Sequence, residues 1–416
     1  MSSGLVNTTN FKCIKNMFIV LILFGLISVT VGDQHIIIRK TTEIDYAINL
    51  ISDCGYPREV HKNVKTEDGY LLTMQRIRGK SKNSIPVLFM HGLLGSAEHF
   101  LLLNCTDALP YQLYNQGYDI WIGNVRTVSY SRHHVSLNPN GPAYWDISMD
   151  EFGNYDVPAL IDYILKTTNH EQIMYVGHSQ GNMIFYIMCH NRPEYANKVK
   201  LFVNLSPVAT LNNFPHPWLG MIAPHVKALQ SVVEKFGLYE WTFGRDYIRE
   251  YGGMMCSMVP ELCKYLQYLF SGLPPARLPN DQFQRLLTNC PEGIAAKQFI
   301  HACLMVNDQR FEKFNFGTPQ KNLINYGSEI PPEYDLSRTT TPVAIYYCHN
   351  DWFLLDTEVE RIMQYIPNIV DSYKITIDGF SHFDFIIGPL APRYLYPRII
   401  ALMNHYRDMQ PSQIEG

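Results

Sequence analysis

The chain has 416 residues, a formal net charge of −4, and 46% hydrophobic against 17% charged residues. That balance excludes a disordered chain, and the lack of a basic excess excludes a polyanion-binding surface, so nucleic acid is not an expected partner. The length allows either two ordinary domains or one large α/β unit carrying an insertion.

At the start, Lys12 and Lys15 precede an apolar run from Met17 to Ile27, and Ser28-Val29-Thr30-Val31-Gly32 leads into Asp33-Gln34. A charged lead, a short apolar run and small residues at the exit predict a secretory signal peptide over residues 1–32. The run is short for a bilayer span and no second long apolar stretch follows, so no stable transmembrane segment is expected; an uncleaved anchor is the alternative. Cys13 leaves with the leader. The eight remaining cysteines are too few for a cystine scaffold in a chain this long, so most should be buried thiols. Cys256 and Cys263 are the first candidates for a disulfide and Cys290 with Cys303 the second. Asn104-Cys105-Thr106 is a glycosylation sequon; Asn204-Leu205-Ser206 also fits, but it ends an apolar strand and should be buried and bare.

Apolar runs at Pro86–Met90, Tyr118–Ile122, Ile173–Val176, Val199–Val203, Val343–Cys348 and Tyr373–Ile377 are nearly continuous, as strands buried on both faces of a parallel sheet should be. Between two of them, Asp156–Lys166 carries Val157, Leu160, Ile161 and Ile164 at helical spacing. Strand, helix and strand in alternation predict an α/β fold with a mostly parallel central sheet flanked by helices. The rhythm breaks at residues 209–338, which hold Met254, Met255, Met258, Phe311, Phe314 and Phe316. This segment reads as an inserted, mainly helical cap, whose apolar residues either cover a site or form the insertion's own core. The expected layout is therefore core at 33–208, cap at 209–338, and core again at 339–416.

Gly177-His178-Ser179-Gln180-Gly181 lies between an apolar strand and the helical stretch Gly181–His190. A serine at the apex of a sharp strand-to-helix turn crowds its neighbours, so Gly177 and Gly181 suit a nucleophile elbow. Chance alone supplies the pattern in about one chain in ten of this make-up, so its strand and helix setting carries the assignment. Acyl transfer also needs donors for an oxyanion. The N–H of Gln180 is one candidate, and the N–H of Leu93 in His91-Gly92-Leu93-Leu94-Gly95, just after a strand, is the other. His382, beyond the last strand, is the candidate base. Asp351 is favoured as its orienting carboxylate over Asp356, which suits the start of a helix, and Asp384, which is too near His382 in sequence. His178 is expected to pack or edge the substrate, and His133 and His134 to lie in a solvated loop.

Together with Asp53-Cys54-Gly55-Tyr56-Pro57, Thr66-Glu67-Asp68-Gly69-Tyr70, Gly117–Asn124, Tyr144–Ser148 and Tyr155–Ala159, these motifs resemble the acid lipase family that includes gastric and lysosomal acid lipase, particularly its insect members. The resemblance implies the α/β-hydrolase fold, hydrolysis of triacylglycerols or cholesteryl esters at a lipid–water interface, and neither metal nor cofactor. It assigns Ser179, Asp351 and His382 as a catalytic triad, Leu93 and Gln180 as oxyanion donors, and supports a Cys256–Cys263 disulfide. Thr127, Asn182 and Cys54 depart from the family's usual glycine, threonine and tryptophan. A soluble carboxylesterase acting on small esters and a non-catalytic lipid-binding relative are the competing readings. A signal peptide and a sequon suit secretion or lysosomal delivery alike.

Overall fold

A computed structural model describes residues 46–409, apart from 210, 212–214, 216, 243–244, 262, 264, 266–284 and 288–290. The expected signal peptide and Cys290 lie outside the described residues. Ten strands are present among the described residues: β1 (Glu59–Lys65), β2 (Leu71–Ile77), β3 (Pro86–Met90), β4 (Asp119–Gly123), β5 (Ile173–Ser179), β6 (Val199–Pro207), β7 (Glu240–Trp241), β8 (Ile294–Ala295), β9 (Val343–Cys348) and β10 (Ile369–Ile375). Eight of them form one sheet in the order β1-β2-β4-β3-β5-β6-β9-β10. The pairs β1/β2 and β2/β4 are antiparallel, and every other neighbouring pair is parallel.

The central strands are apolar throughout because both faces are covered. Every residue of β3, β4 and β9 is buried. Alternate residues enter two separate cores, Leu88, Met90, Tyr175 and Phe202 on one side, and Val87, Phe89, Met174 and Val203 on the other. The helix α1 (Val157–Thr168) buries Val157, Leu160, Ile161 and Ile164 on the first side, where the sequence periodicity placed them. Next, α2 (Gln180–Asn191) is so deeply enclosed that its first ten residues, through Cys189, are buried.

Between β6 and β9 the described residues add no strand to the large sheet. Its described elements include α3 (Val226–Phe236), α4 (Arg245–Met258), α5 (Ala296–Asp308) and the small ribbon β7/β8. The apolar residues of this segment divide by role. Phe311 and Phe314 are buried, with Phe316 packed against the same core, which also holds Leu88, Tyr175 and Phe202 of the central sheet. Met254, Met255 and Met258 are exposed, the last at 75%. No helix among the described residues is long and apolar enough to cross a membrane.

The cysteines correct one expectation. Cys256 and Cys263 are bonded, as expected, with Cα atoms 5.4 Å apart. Cys54 and Cys105 form a second disulfide that the sequence reading did not identify. Four of the seven described cysteines are therefore paired, so most are not buried thiols as expected, while Cys189, Cys303 and Cys348 are buried free thiols.

Candidate active site

Parallel strands deliver their carboxyl ends to one edge of a sheet, and loops leaving that edge are where α/β folds place their chemistry. Here β3 runs into His91, β5 ends on Ser179, β6 ends on Pro207, and β9 and β10 lead to Asp351 and His382. Ser179 pairs with Pro207 just past a register shift at His178, which sets the serine beside the end of β6.

Ser179 is the single residue of β5 that is not buried, and it has φ 55° and ψ −118°. A side-chain-bearing residue adopts that backbone only where the surroundings impose it, at a cost on the order of 1–3 kcal/mol. The two flanking glycines explain the imposition. A Cβ on Gly181 would fall on the carbonyl oxygen of Met90, and one on Gly177 would fall on Oδ1 of Asn182. On the other side, a Cβ on Gly92 would lie 3.0 Å from Cβ of Ser179 and 3.1 Å from Nδ1 of His178. The His91–Gly95 loop therefore rests directly on the elbow at Gly92, the residue before Leu93. Gln180 is the first residue of α2, so its N–H has no place in the helix's own ladder.

Asp351 and His382 are in contact. Nδ1 of the imidazole is 3.0 Å from both carboxylate oxygens, and both side chains are almost wholly buried. A neutral ring that donates from Nδ1 keeps its lone pair on Nε2, the state a proton acceptor needs. The Phe353 N–H donates to Asp351 Oδ1 at 2.7 Å, and the Phe353 ring packs on His382 with centroids 4.4 Å apart.

The rival groups have other partners. Asp356 opens α6 (Asp356–Met363), where it accepts from Lys374 at 2.7 Å and His349 at 2.8 Å. Although partial burial pushes its carboxyl upward, Lys374 and His349 prevail and hold it at about 2. Asp384 accepts the Ser381 N–H at 2.8 Å and closes the His382 loop. His405 lies in the C-terminal helix α7 (Tyr396–Asp408). His178 is buried and donates from Nε2 to the His382 carbonyl at 2.9 Å, while burial keeps its imidazole well below the ordinary range and hence neutral. His133 is exposed, as expected. His134 is not a loosely solvated side chain: its Nε2 donates to the Asp68 carbonyl at 2.9 Å, and its Nδ1 accepts from Leu137 at 2.8 Å. It closes the β1–β2 turn against the 133–137 loop.

Three side chains that the sequence reading passed over as site residues touch this constellation. Ser206 Oγ is 2.5 Å from Asp351 Oδ2 and 2.7 Å from His382 Nδ1. Asn182 donates to the carbonyls of Leu205 at 2.7 Å and Ser206 at 3.2 Å. From the insertion, Gln298 donates to Oε1 of Gln180 at 2.7 Å, with both side chains buried. A polar residue at the carboxyl end of a buried parallel strand, as Ser206 is, was the available signal. Gln298 had a weaker one, a polar residue within the apolar stretch of α5.

An eight-stranded, mostly parallel sheet with a strained serine between glycines and a buried Asp–His pair at the same edge defines an α/β-hydrolase. Residues 85–250 match the family model described as alpha/beta hydrolase fold, and residues 47–104 match the partial alpha/beta-hydrolase lipase region. The chain is 34% identical to Lipase 3 of Drosophila melanogaster, covering 86% of this chain and 92% of that one. It is 33% identical to the lysosomal acid lipase/cholesteryl ester hydrolase of Homo sapiens, over 88% and 94%, and 32% identical to the gastric triacylglycerol lipase of Rattus norvegicus, over 85% and 90%. A solved structure from Sulfolobus solfataricus shares the fold with a TM-score of 0.58 at 13% identity, covering 84% of this chain and 94% of that one. The chain belongs to the acid lipase family, alongside the gastric and lysosomal enzymes.

Proposed function

We propose that the protein is a lipase that hydrolyses the carboxylic esters of neutral lipids, triacylglycerols or cholesteryl esters, through a serine acyl-enzyme. The observation that carries this reading is the joint presence, at one sheet edge, of the strained Ser179 elbow and the bonded Asp351–His382 pair. Nε2 of His382 takes the Ser179 proton as Oγ attacks the ester carbonyl carbon. The N–H groups of Leu93 and Gln180 receive the resulting oxyanion, each worth about 2.7–4 kcal/mol in comparable sites. Asp351 holds the Nδ1–H tautomer and stabilises the imidazolium. Collapse of the intermediate breaks the ester C–O bond, His382 protonates the departing alcohol, and water releases the fatty acid by the same route.

The insertion at 209–338 is the cap in this reading, and its exposed methionines suit contact with lipid. The leader at 1–32 and the two disulfides favour an oxidising route, to a secreted or lysosomal destination. Asn104 and Thr106 are exposed, so the first sequon is open to glycosylation, while Asn204 is fully buried.

The test compares emulsified long-chain triacylglycerol, emulsified cholesteryl ester and a dissolved short-chain ester, with Ser179→Ala alongside. Preference for the emulsions and loss of all activity in the variant are expected. Hydrolysis by Ser179→Ala would remove the serine mechanism; activity confined to the dissolved ester would make the protein a carboxylesterase.

A further inference from the structure

Ser206 is fully buried, and its hydroxyl stands between the two members of the Asp351–His382 pair. Counting protons fixes how it bonds. Nδ1 of His382 must carry hydrogen to bond Asp351, so it cannot accept from Ser206. The serine therefore accepts there, and its one hydrogen goes to Asp351 Oδ2. The Nδ1–H is shared between the carboxylate and the serine oxygen, while that serine's own hydrogen pins the carboxylate.

The backbone at Ser206 is unusual in a way that serves this bond. Its φ is 49°, the left-handed region, and it is the extra residue of β6 at the register shift between the partners of His178 and Ser179. Asn182 holds it there by donating one amide to the carbonyls of both Leu205 and Ser206. Asn182 belongs to the helix that begins at the nucleophile, so the elbow and the serine beside Asp351 share one brace.

We propose that Ser206 is a positioning residue: its hydroxyl sets the carboxylate of Asp351 against the His382 imidazole and takes up part of that carboxylate's charge. The proposal rests on Ser179, Asp351 and His382 being the triad. The other titratable groups around the pair are His178 on β5, Cys348 at the end of β9, and Asp384 after the His382 loop. His178 is kept neutral by burial, and burial likewise raises the Cys348 thiol far above its ordinary value.

Two variants of the full chain separate hydroxyl from backbone. Ser206→Ala removes the hydroxyl and keeps Cβ, and Ser206→Gly removes it while suiting a positive φ, so it serves even if the alanine variant folds poorly. In both, kcat on a dissolved ester should fall about tenfold with KM unchanged, the lost bond being one to a charged group. Inactivation by a fluorophosphonate should slow by the same factor. Parent-like kcat in Ser206→Gly would overturn the proposal, as would recovery of parent rate in the glycine variant alone, or a change confined to KM. Ser179→Ala in the same assay distinguishes the levels. If it retains activity, the triad reading itself fails; if it is inactive while Ser206→Gly behaves as the parent, only the role of Ser206 fails.

Discussion

Glu98 lies just beyond the His91–Gly95 loop and is buried, hydrogen-bonded by the hydroxyls of Ser96 and Tyr130. Burial, reinforced by Glu292, outweighs those two donors and lifts its carboxyl from 4.5 to about 7. The folded state therefore holds this proton more tightly than the unfolded chain. The stability it contributes is complete below about pH 4.5 and lost as pH rises through about 7. A gap of about 2.5, at 1.36 kcal/mol for each unit, makes that contribution about 3 kcal/mol. Glu98→Gln keeps the shape and cannot titrate. Urea unfolding of both proteins across this range, disulfides intact, should show the parent losing about 3 kcal/mol relative to the variant between about pH 4.5 and pH 7.5. His91 and His99, which burial lowers to about 4 and about 3, act in the opposite direction. They lose stability as pH falls below about 6.5, but both proteins carry them, so they cancel in the difference. Parallel curves, or a gap that widens toward acid, would refute the reasoning.

Gln298→Ala should leave Oε1 of Gln180 buried without its donor, costing about 1–3 kcal/mol in urea unfolding. It should also lower kcat, because the insertion would no longer brace the residue assigned as an oxyanion donor; unchanged stability would show that the two amides are independent. The disulfides should differ in worth. Closing a loop of sequence separation 51 from Cys54 to Cys105 is worth about 4 kcal/mol in chain entropy, against about 2 kcal/mol for the separation of 7 from Cys256 to Cys263. Paired Cys→Ala variants compared by unfolding midpoint would contradict this if the losses were equal.

The strands legible in sequence were those buried on both faces. The bounds of β3 and β9 coincide with their apolar runs, Pro86–Met90 and Val343–Cys348, because no solvent-facing position interrupts them. On the edges the signal weakens. β10 covers Ile369–Ile375 rather than Tyr373–Ile377, since most of its residues face solvent at least partly. β1 went unrecognised: it is a polar edge strand with a bulge between His61 and Val64. β2 was missed because Thr73 and Gln75 interrupt its pattern; both are buried, but bonded to Tyr130 and Asn124.

The elbow, the loop of Leu93 and the candidates Asp351 and His382 were legible in the amino-acid sequence, because each depends on a local requirement: a glycine where a side chain cannot fit, or a polar residue at the end of a buried strand. The bonds between distant segments came from the folded arrangement alone. Cys54 finds Cys105 across 51 residues, Gln298 reaches Gln180 from the insertion, and Ser206 joins a pair formed by residues 145 and 176 positions further on. No local spacing encodes such contacts, since they exist only once the sheet has brought the ends of β5, β6, β9 and β10 to the same edge.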